Sequence, residues 1–228
     1  MVLFVNACVR GDKSRTLALC REYLRGAKQA GEVVREVNLE LLHLVPLSDQ
    51  KVAFRSQLAR AKRYEDDIFN LSHQFAEADD IVIGAPYWDL SFPAALKTYI
   101  EHVSVDGITF RFTPDAHYEG LCTARRITYI TTSGSILSES DEEREAGVGT
   151  EAGAETETGA EAATALQSKP APGVNLGYDY ICAIARMFGI PEVRYAAAEG
   201  LDIEGIDIEA QLEKGLRQVA ALLAEDAR

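Results

Sequence analysis

The amino-acid sequence predicts a doubly wound α/β domain, with a five-stranded parallel sheet covered by helices on both faces. Three features point there. Short apolar runs recur along the chain, each of a length suited to a strand buried on both sides. Stretches with apolar residues at helical spacing separate them, and this alternation is the signature of parallel βαβ units. The 228 residues suit one large core better than two, so residues 1–228 are expected to form a single domain. Five strands in this rhythm suit the order 2-1-3-4-5.

The elements follow in turn. Val2 to Asn6 reads as a buried strand. From Ser14 onward Leu17, Leu19, Cys20, Tyr23 and Leu24 repeat at helical spacing until Gly31 closes the helix. Glu32 to Leu39 alternates as a second strand through Val33, Val34 and Val37, followed by a less regular stretch to Pro46. Ala53 to Ala78 reads as one helix, or as two with a break. Asp80 to Ala85 is the third strand, and a helix runs from about Pro93 to Val103, with proline in an early-turn position where its missing N–H is tolerated. Arg126 to Thr131, Leu176 to Phe188, Glu192 to Ala197 and Asp207 to Glu225 complete the pattern as strand, helix, strand and helix.

One segment breaks the rhythm. Ser138 to Ala165 is rich in Glu, Ala, Gly and Thr with almost no large apolar residue, so it cannot bury enough surface to offset its ordering entropy. It predicts a flexible acidic insertion over about 138–170. Nine acids against Arg144 alone fall in 138–165, which accounts for most of the net charge of −13. The rest of the chain has no broad basic surface, and nucleic-acid binding is not expected. No apolar run approaches a membrane span and the N-terminus lacks a signal-like pattern, so a cytoplasmic protein is expected. Cys8, Cys20, Cys122 and Cys182 are scattered without metal-ligand or disulfide spacing, and read as reduced, mostly buried thiols with no metal.

In a doubly wound sheet, ligands bind beyond the carboxyl ends of the strands where the strand order reverses, so the loops after strands one, three and four matter most. After strand one, Ala7-Cys-Val-Arg-Gly-Asp-Lys-Ser-Arg-Thr16 leads into a helix that Ser14 can cap. The exposed N–H groups there could hold a phosphate, with Arg10, Lys13 or Arg15 adding charge. Such a cap also occurs with no ligand at all, and neither GxGxxG nor a P-loop is present. After strand three, Ala85-Pro-Tyr-Trp-Asp-Leu-Ser-Phe-Pro93 carries two adjacent aromatics, suited either to a flat ligand or to packing on a neighbouring helix. After strand four, Thr132-Ser-Gly-Ser135 is small and polar, able to present backbone N–H groups. His102 lies mid-helix, where a packed histidine is the simpler reading.

Pro86-Tyr-Trp-Asp-Leu90 with Leu96-Lys97 and Ile100-Glu-His-Val103, and then Gly107-Ile-Thr-Phe-Arg-Phe112, resemble the FMN-dependent NADH azoreductases within the flavodoxin-like quinone reductases. The resemblance extends to Tyr118-Glu-Gly-Leu121 and Ala198-Glu-Gly200, and so covers essentially everything except the insertion. It implies a flavodoxin-like fold and an FMN phosphate held by Cys8, Arg10, Ser14, Arg15 and Thr16. Pro86, Tyr87, Trp88, Asp89 and Leu90 would lie against the isoalloxazine, and Thr132, Ser133, Gly134 and Ser135 near its pyrimidine. Phe110, Phe112 and Tyr118 would form one wall of a flat substrate pocket shared across a homodimer, although these aromatics could equally be an exposed hairpin folded on itself.

Three positions depart from the family pattern. Cys8 replaces a serine donor with a weaker thiol. Asp89 replaces asparagine, removing an amide donor and adding a negative charge. Ser133 replaces an arginine.

The activity implied is transfer of two electrons from NADH or NADPH through FMN to a quinone, azo compound or similar small aromatic acceptor. The flavin carries the chemistry, so no catalytic side chain is expected. Two other readings stay open: a flavodoxin-type electron carrier whose acidic segment steers a basic partner, and a flavin-free binding module on the same scaffold.

Overall fold

The computed structural model describes residues 1–115, 117–137, 169–170 and 173–226. The acidic insertion expected over about 138–170 therefore lies, save its last two residues, outside the described residues. Seven strands are present among the described residues: β1 Val2–Asn6, β2 Val34–Asn38, β3 Asp80–Gly84, β4 Phe110–Phe112, β5 Tyr118–Gly120, β6 Arg126–Thr132 and β7 Glu192–Ala198. The helices are α1 Arg15–Gln29, α2 Leu39–Leu42, α3 Asp49–Arg60, α4 Asn70–Ala76, α5 Ala94–Val103, α6 Leu176–Phe188 and α7 Ile208–Asp226.

The expected architecture is observed. Five strands form one sheet in the order β2-β1-β3-β6-β7, every neighbour parallel, with β6 and β7 as the fourth and fifth core strands. Alternation sorts the strand residues onto two faces. Val2, Phe4, Val82, Ile130 and Ala196 pack with Leu17, Leu19 and Cys20 of α1 and Val219 and Leu222 of α7. Leu3, Val5, Ile81, Ile83, Ile127 and Tyr129 pack on the other side with Phe75, Tyr99, Ile181 and Phe188 from α4, α5 and α6. With helices on both faces, the central strands β1 and β3 carry continuous apolar runs, Val2–Val5 and Ile81–Ile83, and this is why they were readable in the sequence.

Two stretches take forms that the sequence left open. The region read as one helix or two from Ala53 is two, and the first starts earlier, at Asp49, because the Ser48 side chain caps it by accepting from Lys51 N–H at 3.4 Å. The break falls at Lys62, whose φ of 56° is left-handed and stops the helix, and a 3-10 turn at Asp67–Phe69 leads into α4. Phe110 to Gly120 makes an antiparallel hairpin, a form that fits either of the readings the sequence left open for its aromatics.

That hairpin is seated at the amino-terminal end of the sheet. Phe110 stacks on Phe188 at 6.4 Å, and Cys122 N–H donates to Phe188 O at 3.2 Å. Gly120 lies directly against the end of α6: a Cβ there would sit 2.0 Å from Gly189 N and 2.1 Å from Phe188 C, so no side chain fits. Asp80, Arg126, Asp226 and Arg194 form a chain of ion pairs at the same end, with Arg126 Nε 2.7 Å from Asp80 and Arg194 Nη1 2.6 Å from Asp226. The Gly120→Ala substitution is expected to push the hairpin off α6 and to lower the unfolding free energy by about 1–3 kcal/mol, the usual cost of overpacking, as read by urea denaturation.

Candidate functional site at the carboxyl edge of the sheet

The strand order reverses between β1 and β3, and the loops leaving these strands and β6 meet beyond their carboxyl ends. Main-chain bonds carry the sheet pattern on into the loops: Ala7 N–H donates to Gly84 O at 2.8 Å, Ala85 N–H to Ile130 O at 3.1 Å and Tyr87 N–H to Thr132 O at 2.9 Å. Ser133 N–H donates to Ala198 O at 3.0 Å, tying in the loop after β7. The loops are thus positioned by the sheet and do not depend on side-chain packing alone.

A cleft opens among them, lined by Arg10, Ser14, Arg15 and Thr16 from the first loop, Pro86, Tyr87 and Trp88 from the second, and Thr132, Ser133 and Gly134 from the third. These are ten of the fourteen positions that the resemblance implied for a cofactor. Leu201 and Asp202, from the loop after β7, complete the lining and were not foreseen. The one available signal for them was Ala198-Glu-Gly200, just upstream, which marks the loop without marking those two residues.

One end of the cleft is built for an anion. Ser14 Oγ caps α1 by accepting from Leu17 N–H at 3.2 Å, leaving its own hydroxyl hydrogen to donate elsewhere. The N–H groups of Arg15 and Thr16 belong to the first turn, where no intrahelical acceptor exists. That turn contains no acidic residue, so the positive end of the helix dipole is not neutralised from within. The buried hydroxyls of Thr16 and Thr132 meet at 2.6 Å, linking the first and third loops, and Arg15 lies 3.7 Å from Asp202.

The other end is flat and aromatic. Trp88 and Ser91 exchange main-chain bonds of 3.1 and 2.8 Å across a two-residue turn in which Asp89 (φ 48°) and Leu90 (φ 66°) are both left-handed, the conformation of a type I′ turn. Aspartate tolerates this φ as asparagine does, so the departure at Asp89 preserves the backbone while changing the charge. Leucine does not tolerate it well, and the strain is held in place by Leu176 N–H donating to Leu90 O at 2.9 Å. Tyr87 hydroxyl donates to Val174 O at 3.1 Å, and Trp88 remains 44% exposed at the rim.

Four implied cofactor positions lie outside the lining. Asp89 and Leu90 form the tip of the turn, and Ser135 accepts through its carbonyl from Ser133 Oγ at 2.5 Å. Cys8 sits beneath the cleft: its thiol approaches Gly84 O at 3.6 Å, the neighbouring Cys20 thiol lowers its pKa, and burial pushes Cys20 well up. Phe110, Phe112 and Tyr118 are at the opposite end of the sheet and do not line this cleft within one chain. His102 is equally remote, bonded to Val45 O at 3.0 Å where α5 ends. Among the described residues there is no group of three or more His, Cys, Asp or Glu able to hold a metal, and no helix long and apolar enough to cross a membrane. All four cysteines are free, two of them buried.

Residues 1–156 match the model of a family described as having a flavodoxin-like fold. Among curated proteins, the chain is 26% identical over 226 residues to an FMN-dependent NADH:quinone oxidoreductase of Clostridium perfringens, covering 97% of this chain and 96% of that protein. It is 25% identical over 224 residues to a protein of the same name from Coprothermobacter proteolyticus, with the same coverage. Among solved structures, an azoreductase from Bacillus anthracis superposes with a TM-score of 0.74 at 22% identity over 98% of both chains. An FMN-dependent NADH-azoreductase from the same organism, solved in complex with FMN, gives 0.75 at 18% identity over 100% of this chain and 99% of that one.

Because Leu90 stores backbone strain at an exposed position, Leu90→Gly is expected to stabilise the ligand-free protein by about 0.5–1 kcal/mol, the relief of a left-handed leucine less the added chain entropy of glycine. Paired urea titrations of the two forms measure it.

Proposed function

Because the chain belongs to the flavodoxin-like fold family that its residues 1–156 match, we propose that it is an FMN-dependent oxidoreductase that takes electrons from NADH or NADPH and reduces quinones, azo compounds or similar flat acceptors. The observation that carries this reading is the convergence of an acid-free helix N-terminus, a paired-threonine floor and an aromatic turn on one cleft at the switch point of the sheet. The names of the full-length relatives support the same reading.

The residues present fit the cofactor. Ser14, Arg15 and Thr16 would hold the phosphate through first-turn N–H groups and hydroxyls, and Tyr87 and Trp88 would lie beside the ring system. When bound, FMN supplies hydride acceptance and two-electron delivery, chemistry that no side chain here can perform. The chain's own part is to bind, orient and shield. Thr132, Ser133 and Gly134 set the third wall, and the main-chain ladder through Tyr87 and Thr132 fixes its spacing.

The acceptor pocket, on this reading, needs a second copy of the chain. Phe112 and Tyr118 are 57% and 58% exposed, contact each other at 5.3 Å and project from a hairpin anchored through Phe110, far from their own cleft. In a homodimer this aromatic pair would close over the cleft of the other subunit.

The purified protein, mixed with FMN and desalted, is expected to keep the yellow flavin spectrum and to bleach on anaerobic addition of NADH. Retained colour that NADH does not bleach would favour the electron-carrier reading, and no retained flavin would favour a flavin-free module. A separate expectation concerns the hairpin: Phe112→Ala with Tyr118→Ala should raise KM for a quinone several-fold while FMN stays bound, with light scattering reporting a dimer of the parent chain. A monomer with unchanged KM would remove the hairpin from the pocket.

A further inference from the structure

The cations lining the cleft are Arg10 and Arg15, and the second is already engaged. Arg15 Nη1 lies 3.7 Å from Asp202 Oδ1 and 3.5 Å from Leu201 O, so the guanidinium nearest the helix N-terminus faces a carboxylate across the anion end of the cleft.

The backbone that carries Asp202 is fixed beside the cleft. Its N–H donates to Gly134 O at 3.2 Å, Leu201 N–H donates to Ser133 O at 3.1 Å and Gly200 N–H to Ser135 O at 3.1 Å, so three consecutive main-chain bonds hold the loop after β7 against the loop after β6. The carboxylate lies directly over Gly134, where a Cβ would come within 2.5 Å of Asp202 Oδ2. The carboxylate itself is well exposed.

An anion entering this end must approach Arg15 while Asp202 is beside it. A dianionic phosphate and a carboxylate repel, and within a few ångströms that repulsion is felt even at the high effective dielectric of a surface cleft. We propose that Asp202 is an affinity-setting residue that competes with the flavin phosphate for Arg15, so that this protein holds FMN more weakly than the rest of its phosphate site would allow. The inference rests on the FMN reading above. It predicts a specific asymmetry: the carboxylate opposes FMN and is indifferent to riboflavin, which has the same ring system and no phosphate.

The test is fluorescence-quenching titration of the full chain with FMN and with riboflavin, in the parent protein and in Asp202→Asn, which keeps the shape and removes the charge. The Kd for FMN is expected to fall roughly tenfold in the variant while that for riboflavin stays within twofold, and the FMN gain is expected to shrink as salt is raised from about 0.05 to 0.5 M. In an Arg15→Gln background the same substitution should give a different FMN gain, because the two residues act on one another. Equal FMN affinity in the two forms, weaker FMN binding in the variant, or an equal change for riboflavin each overturns the role of Asp202 and leaves the flavin reading standing. Failure of both forms to bind FMN at millimolar concentration overturns the flavin reading and this inference with it.

Discussion

The site depends on the parallel ladder not ending where the strands end. From Ala7 on Gly84, through Ala85 on Ile130 and Tyr87 on Thr132, to Ser133 on Ala198, main-chain donors continue across the sheet's carboxyl edge and into the loops. Each such bond contributes modestly to stability, but leaving a buried N–H without a partner would cost more, so the loops are constrained to follow the strands. The left-handed turn at Asp89 and Leu90, the approach of Thr16 to Thr132 and the seating of Asp202 on Gly134 are all built on that edge. A change of strand register would displace all of them together.

The two ends of the sheet divide the labour. At the amino end the chain places ion pairs and a tightly apposed hairpin, where Gly120 meets Gly189 with no room for a methyl group. At the carboxyl end it places small hydroxyl residues, a helix N-terminus without acids and strained backbone. The first set resists unfolding. The second gives up stability, in the strain at Leu90 and in the open helix terminus, to leave donors facing a cleft.

How much of this was readable follows from which forces are local. The central strands were legible because burial on both faces leaves continuous apolar runs, Val2–Val5 and Ile81–Ile83, inside β1 and β3. Ten positions of the cleft lining were legible because they occupy the loops directly after core strands. The start of α3 at Asp49 was missed because its evidence is one Ser48 cap ahead of a mostly exposed helix, where apolar periodicity is faint. A break between two helices was one of the forms foreseen, but its place at Lys62 was unreadable because a left-handed lysine has no compositional signature. Asp202 was missed for a different reason: its part in the cleft exists through main-chain bonds from Gly200, Leu201 and Asp202 to a loop nearly seventy residues earlier in the chain, and those bonds are indifferent to side-chain identity.

The departures from the family pattern make sense when the cleft's charge is considered as a whole. Ser133 is buried and its hydroxyl is used locally on Ser135, so an arginine at that position would have to displace this packing to reach the cleft. Asp89 adds a negative charge at the tip of the aromatic turn, and Asp202 adds another beside Arg15 near the start of α1. Against these stand Arg10 and Arg15 on the first loop, close to the helix terminus that supplies the remaining positive field. Positive charge in this cleft is therefore concentrated at one end and absent from the other two walls. An anionic cofactor would be oriented by that gradient with its phosphate at α1, and the ring end would be left to shape and stacking on Tyr87 and Trp88.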